Sequence, residues 1–147
     1  MAKKKRIRAL AICVFRHNDR ILVNQGYDSV KGEHFYRPLG GGIEFGESSV
    51  DTICRELMEE LQVEVDRESL KLLGALENIF TFEGTPGHEI NLVYDGALKD
   101  ARLYEQAEIV GVDTADGEEI RAVWKHLDEL DAGKSILYPT GLLGMLK

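Results

Sequence analysis

The chain has 147 residues, 44% hydrophobic and 30% charged, the proportions of one ordinary globular domain with room for a sizeable core. Its 26 acidic and 18 basic residues leave a net charge of −8, which argues against a broad nucleic-acid-binding surface. No apolar run approaches a membrane span and no secretory signal is visible, so the expectation is a cytoplasmic protein with one domain over residues 1–147.

The basic start, Met1-Ala2-Lys3-Lys4-Lys5-Arg6, leads straight into a strand pattern and reads as a short solvated tail. Ile7 to Phe15 is a strongly apolar strand, and His17-Asn18-Asp19 turns into a second strand at Arg20 to Asn24. A loop is expected from Gly26 to Glu33, then the aromatic segment His34-Phe35-Tyr36, then Pro38 and the run Gly40-Gly41-Gly42. Next comes a helix. Ser48 or Ser49 can cap it, Asp51 suits the positive end of its dipole, and Val50, Ile53, Cys54, Leu57 and Leu61 form one apolar stripe. Leu70 to Phe82 reads as a strand with a break at Gly74, Gly84-Thr85-Pro86-Gly87 as a turn, and Glu89 to Leu98 as the strand pairing back. Tyr104 to Gly117 is expected to be mostly loop, Glu119 to Trp124 the last strand, and His126 to Leu130 a short helix. Pro139 would open a terminal helix reaching Leu146. Periodicity alone supports a mixed α/β class.

Cys13 and Cys54 lie in apolar stretches without a Cys-x-x-Cys and read as buried free thiols in reducing surroundings. The densest chemistry lies in Gly41 to Val63, where Glu56, Glu59 and Glu60 share one face of the predicted helix at i, i+3, i+4. Like charges so placed repel by a few tenths of a kcal/mol per pair. A hard divalent cation held by oxygen ligands is the obvious relief. Arg55 lies one turn from both Asp51 and Glu59 and can pair with either to fix the acidic face.

Gly41, Glu47, Arg55, Glu56, Leu57, Glu59, Glu60 and Val63 match the spacing G-x5-E-x7-R-E-U-x-E-E-x-G-U, with U apolar, and in this the chain resembles the Nudix hydrolases. By average residue usage, eight such matches arise by chance in about one chain in a million, and allowing tenfold for glutamate enrichment leaves the signal strong. The second glycine of the box is Gln62 here. A non-glycine residue kept left-handed there costs on the order of 1 kcal/mol. It puts the helix exit in question rather than the charged face.

The resemblance implies an α/β/α sandwich with a mixed central sheet, and an enzyme that cleaves the pyrophosphate linkage of a nucleoside diphosphate joined to another group. It implies Mg²⁺ or Mn²⁺ as cofactor, with Glu56, Glu59, Glu60 and the Gly40 carbonyl as ligands. Glu56 or Glu59 would be the base, Arg55 would orient a glutamate, and Glu47 would anchor the loop to the helix. A metal there would polarise the phosphoryl group and lower the pKa of a bound water. The partner is a small nucleotide-derived substrate, with no extended nucleic acid and no membrane; many Nudix proteins are homodimers, but nothing in this sequence marks an interface.

A further acid often comes from outside the box. Glu118, Glu119 and Glu89 are the candidates here, and Glu118 is favoured. Arg37, beside the glycine run, is a candidate phosphate ligand. Phe80 is the candidate base-stacking ring among Phe35, Tyr36, Phe80, Phe82 and Tyr94. His17, His34, His88 and His126 lack metal-ligand spacing, and Gly133-Lys134-Ser135 lacks the earlier glycine of a phosphate loop. The competing reading is a Nudix-like sensor that binds a nucleotide without turnover. The presence of every box carboxylate favours the enzyme. Substrate identity is expected to reside in the Gly26–Glu33 and Leu103–Gly117 segments.

Overall fold

Strand β1 (Ile7–His17) lies at the centre of the fold. Its side chains alternate between two cores: Ala11, Cys13 and Phe15 enter one, Ile12 and Val14 the other. A strand buried on both faces must be covered on both. In the computed structural model, which describes residues 5–131 and 135–147, helix α1 (Ser49–Leu61) covers one face through Ile53, Leu57 and Leu61. Helices α2 (Leu127–Asp131) and α3 (Leu142–Leu146) cover the other through Leu130, Leu142 and Leu146. The expected α/β/α sandwich is therefore present. Met1 to Lys4, in the basic start, and Gly133-Lys134, in the discarded phosphate-loop reading, lie outside the described residues.

The remaining strands are β2 (Arg20–Asp28), β3 (Glu33–Arg37), β4 (Leu39–Gly42), β5 (Val65–Phe82), β6 (Thr85–Leu98), β7 (Glu108–Val112), β8 (Glu119–His126) and β9 (Ile136–Leu137). The main path of the mixed sheet runs β5-β6-β1-β2-β3-β9, and β8 joins β2 and carries β7. β1 and β6 are parallel, from Ile7 opposite His88 to Phe15 opposite Gly96. The other edge of β1 is shared. Leu10 to Cys13 pair with β4, and Arg16 and His17 pair with β2. The sheet forks there into two arms.

Several expected boundaries move. β2 continues through Asp28 because Asn24 to Asp28 pair with β3, so the loop expected at Gly26–Glu33 shrinks to residues 29–32. The β5–β6 turn is Glu83-Gly84, both left-handed, which leaves Thr85-Pro86-Gly87 inside β6. The stretch expected as loop after Tyr104 holds β7, paired with β8, and a 3₁₀ turn over Ala101–Glu105 precedes it. Helix α3 starts at Leu142 behind Gly141, not at Pro139. The β1–β2 hairpin closes as expected, with Asn18 and Asp19 both at positive φ, as a two-residue turn matched to strand twist requires.

Candidate active site

Helix α1 begins where the sequence places it. Ser48 is the cap, its Oγ accepting from the Asp51 amide at 3.1 Å. Asp51 pairs with Arg67 at 2.6 Å, which leaves Arg55 to the motif. At the other end Gln62 is left-handed, φ 55° and ψ 41°, the conformation for which the missing glycine is suited. Its side chain offsets the cost. Gln62 Nε2 donates to the Glu59 carbonyl at 3.0 Å and to the Val112 carbonyl at 2.6 Å, and Gln62 Oε1 accepts from the Val112 amide at 2.9 Å. The residue that breaks the consensus thereby fastens β7 to the helix end. Gly111 makes that approach feasible, because a Cβ there would stand 2.6 Å from the Glu60 carbonyl.

Arg55 ties three elements together. Its Nε and Nη2 donate to the two oxygens of Glu47 at 2.7 and 2.9 Å, and Nη2 also reaches the Gly42 carbonyl at 3.2 Å. Nη1 donates to Glu56 at 2.9 Å and approaches Glu59 at 3.4 Å. Glu47 accepts further bonds from the Thr52 hydroxyl at 2.7 Å and the Glu44 amide at 3.2 Å. The guanidinium, then the hydroxyl, hold the Glu47 carboxyl down to about 2. Glu47 thus anchors the loop to the helix, as expected, and is fully ionised at neutral pH.

Glu56, while still bonded to Arg55, and Glu60 both line a cleft of about 590 Å³, lined also by Gly40, Gly41, Gly42 and Arg37. They reach it because β4 has no side chains in the way. A Cβ on Gly41 would stand 2.5 Å from the Glu56 carboxyl carbon. Gly40 has φ 146°, and a Cβ there would meet the Ala11 carbonyl oxygen at 2.1 Å. Burial first, then the hydrogen bond and charge of Glu56, push the Glu60 carboxyl up to about 8, with Asp113 adding repulsion and Arg37 opposing it. Two neighbouring carboxylates that repel one another in a partly buried place suit a hard cation held by oxygen ligands. The residues therefore fit a divalent metal. Glu59 is turned toward Arg55, and among the described residues no trio of His, Cys, Asp or Glu stands at ligating geometry.

The remaining predicted residues divide. Phe80, Phe35 and Phe82 line the far part of the same cleft with Tyr138, whereas Tyr36 and Tyr94 are buried in the two cores. Phe35 meets Phe82 and Tyr138 edge-on, with centroids 5.9 and 5.6 Å apart. Glu118 is exposed in the turn between β7 and β8 and does not line the cleft, and neither does any histidine. The acid of that turn which Glu60 feels is Asp113. Glu89 is the candidate that the structure brings in: it is buried, lines the cleft, and lies 3.7 Å from Arg8. The Gly26–Glu33 segment contributes Gly26, Asp28, Lys31 and Glu33 to the lining, but Leu103–Gly117 contributes nothing. Sequence reasoning missed Asp113 and Asn91. An alternation of polar with apolar residues along Glu89-Ile90-Asn91-Leu92 was the available signal for Asn91.

A forked mixed sheet thus lies between helices, and an acidic helix face opens through a glycine strand onto a cleft. The NUDIX domain model matches residues 4–140, and the chain belongs to that family. It is similar in structure to a NUDIX hydrolase from Nitrosomonas europaea, with a TM-score of 0.67 at 16% identity over 96% of this chain and 86% of that one. It is also similar to a MutT protein from Methanosarcina mazei Go1, at 0.64 and 18% over 98% and 93%. A MutT NUDIX hydrolase from Burkholderia pseudomallei matches at 0.59 and 20% over 84% and 86%. The protein is accordingly a Nudix hydrolase, of a family that acts on nucleoside diphosphate derivatives and generally needs a divalent metal. No helix among the described residues is long and apolar enough to cross a membrane.

Proposed function

We propose that this chain, as a single domain over residues 1–147, hydrolyses the pyrophosphate linkage of a nucleoside diphosphate joined to another group, in the cytoplasm, with Mg²⁺ or Mn²⁺. The observation that carries the reading is the Glu56–Glu60 pair, held together behind Gly41 in a cleft that continues into an aromatic end. Glu56, Glu60 and the Gly40 carbonyl would hold the metal, with Glu59 joining them from the same face. When bound, the metal neutralises phosphate oxygens and acidifies a water.

The chain's own residues do the rest. Glu56 takes the proton of the attacking water as its oxygen bonds to phosphorus. The bridging P–O bond then breaks, and its electrons leave with the departing phosphate. Arg37 faces the developing charge across the cleft. Arg55 keeps the Glu56 carboxylate aimed, and Glu47 keeps Arg55 aimed. Glu89, buried in the same cleft, is the further acid in preference to Glu118.

The test is phosphate or nucleotide release from a panel of nucleoside diphosphate derivatives with Mg²⁺ or Mn²⁺, comparing wild type with Glu60→Gln. Turnover that disappears in the variant and with EDTA supports the hydrolase. Nucleotide binding without turnover on any compound moves the reading to the sensor.

A further inference from the structure

Asn91 lies on β6 between Leu10 of β1 and Leu76 of β5. It is 3% exposed, it lines the cleft, and its Nδ2 has no hydrogen-bond partner. A buried amide without an acceptor is destabilising, and folded proteins rarely keep one without a use. The other shielded side-chain atom without a partner, Trp124 Nε1, sits in the core against Tyr104 and faces no cleft. Asn91 is therefore, among the described residues, the cleft-lining residue whose fully buried side-chain donor is left without a partner.

Its surroundings say what acceptor would meet it. The cleft that Asn91 lines is lined as well by Phe35, Phe80, Phe82 and Tyr138, rings that offer faces and edges to a flat apolar body. Asn78, the adjacent buried amide, has its Oδ1 taken by the Thr140 amide and hydroxyl at 3.3 and 3.0 Å. That oxygen is not available to compete for the Asn91 donor. The register fixes the separation from the reacting end. Gly42 and Asn91 both lie opposite Leu10, on either side of β1, two strand spacings or about 10 Å apart. The glycine strand and the carboxylates occupy one side of that row and the rings the other.

We propose that Asn91 is the base-reading residue of this site: its amide donates to a carbonyl oxygen or unprotonated ring nitrogen of a nucleobase stacked on the aromatic end, while the phosphates lie at the glycine strand. The inference rests on the nucleotide reading above. Turning the amide toward the ligand needs only χ2, a broad and inexpensive torsion. In the free protein the donor is unmet, so binding energy from the base is realised only when an acceptor is present. A ligand lacking the base forgoes it.

The experiment separates recognition from hydrolysis. Binding of UMP, CMP, GMP, AMP and ribose 5-phosphate is measured by calorimetry in EDTA, for wild type, Asn91→Leu and Asn91→Asp, with thermal melts of each. At least one nucleotide is expected to bind wild type about tenfold or more tightly than ribose 5-phosphate, and Asn91→Leu to erase that difference. Asn91→Leu is also expected to melt no lower than wild type, since it removes an unmet polar group from a buried place. A structural asparagine would give the reverse: a lower melting temperature with the nucleotide preference intact, which overturns the proposal. Equal binding of all five probes to wild type overturns it as well, even if Asn91→Leu fails to fold. Because none of these arms needs turnover, an inactive protein that still reads a base would refute the hydrolase and keep Asn91 in its role.

Discussion

Two carboxylates of one motif, Glu47 and Glu60, start from the same chemistry and end far apart. Glu47 receives two bonds from Arg55 and one each from Thr52 and Glu44, and it ionises near 2. Glu60 is buried against another carboxylate and holds its proton to about 8. Every acceptor position of the first is served by its own protein. The second is opposed by its own protein, and only something from outside can satisfy it. Satisfied charge in a fold reads as scaffold and frustrated charge as function.

The contrast is broken most severely by neutralising the frustrated side. Glu60→Gln is expected to lower kcat/KM by about 10²–10⁴-fold, while the metal-free protein melts at or above the wild-type temperature because an acidic proton is no longer at issue. Steady-state kinetics and metal-free calorimetry on one preparation check both halves. Neutralising the satisfied side should do the opposite to stability. Glu47→Gln loses the charge that Arg55 is built around, so the melting temperature falls at neutral pH, and activity drops by about 10–100-fold because Arg55 no longer aims Glu56.

Titration sharpens the comparison further. For Glu60 the folded pKa lies above the ordinary 4.5, so the folded state binds the extra proton. Stability of the metal-free protein then decreases as pH rises from about 4.5 to about 8. For Glu47 the folded pKa is depressed, so its contribution is present above about 4.5 and is lost as pH falls toward 2. Urea melts across this range should show both slopes. Saturating Mn²⁺ should flatten the one between 4.5 and 8, because a cation has taken the proton's place.

The smallest effect concerns Gln62. Replacing it with glycine relieves the left-handed backbone but gives up the side-chain bonds to Val112 and to the Glu59 carbonyl, so the net change is expected within about 1 kcal/mol. Gln62→Ala keeps the strain and loses the bonds, and is expected to cost about 1–2 kcal/mol. Denaturant midpoints of the two variants should therefore rank alanine below glycine.

What the sequence disclosed follows from distance along the chain. Glu47, Arg55, Glu56, Glu59 and Glu60 sit within 14 residues, where helical periodicity converts spacing directly into a shared face. The cap at Ser48, the apolar stripe and the hairpin at Asn18-Asp19 are equally local. Gln62 was legible as an exception but not as a remedy, because its partner Val112 is 50 residues away. Glu89, Asn91 and Asp113 depend on how β6, β1 and β7 register across the sheet. That is a tertiary property, and a single strand pattern does not encode it. Glu118 was favoured by its place in an acidic loop, but the turn it forms presents Asp113 toward Glu60 instead.

The fastening of β7 to the end of α1 supplies a built-in observation post. The Thr114 amide donates to the backbone carbonyl of Glu59 at 3.0 Å, one of the last-turn carbonyls that the helix itself leaves unpaired. Any reorientation of Glu59 away from Arg55 that tightens or loosens that last turn is transmitted to this single proton. Titrating Mn²⁺ or Mg²⁺ while following the Thr114 amide would report occupancy of the carboxylate face without a substrate, a label or a completed reaction.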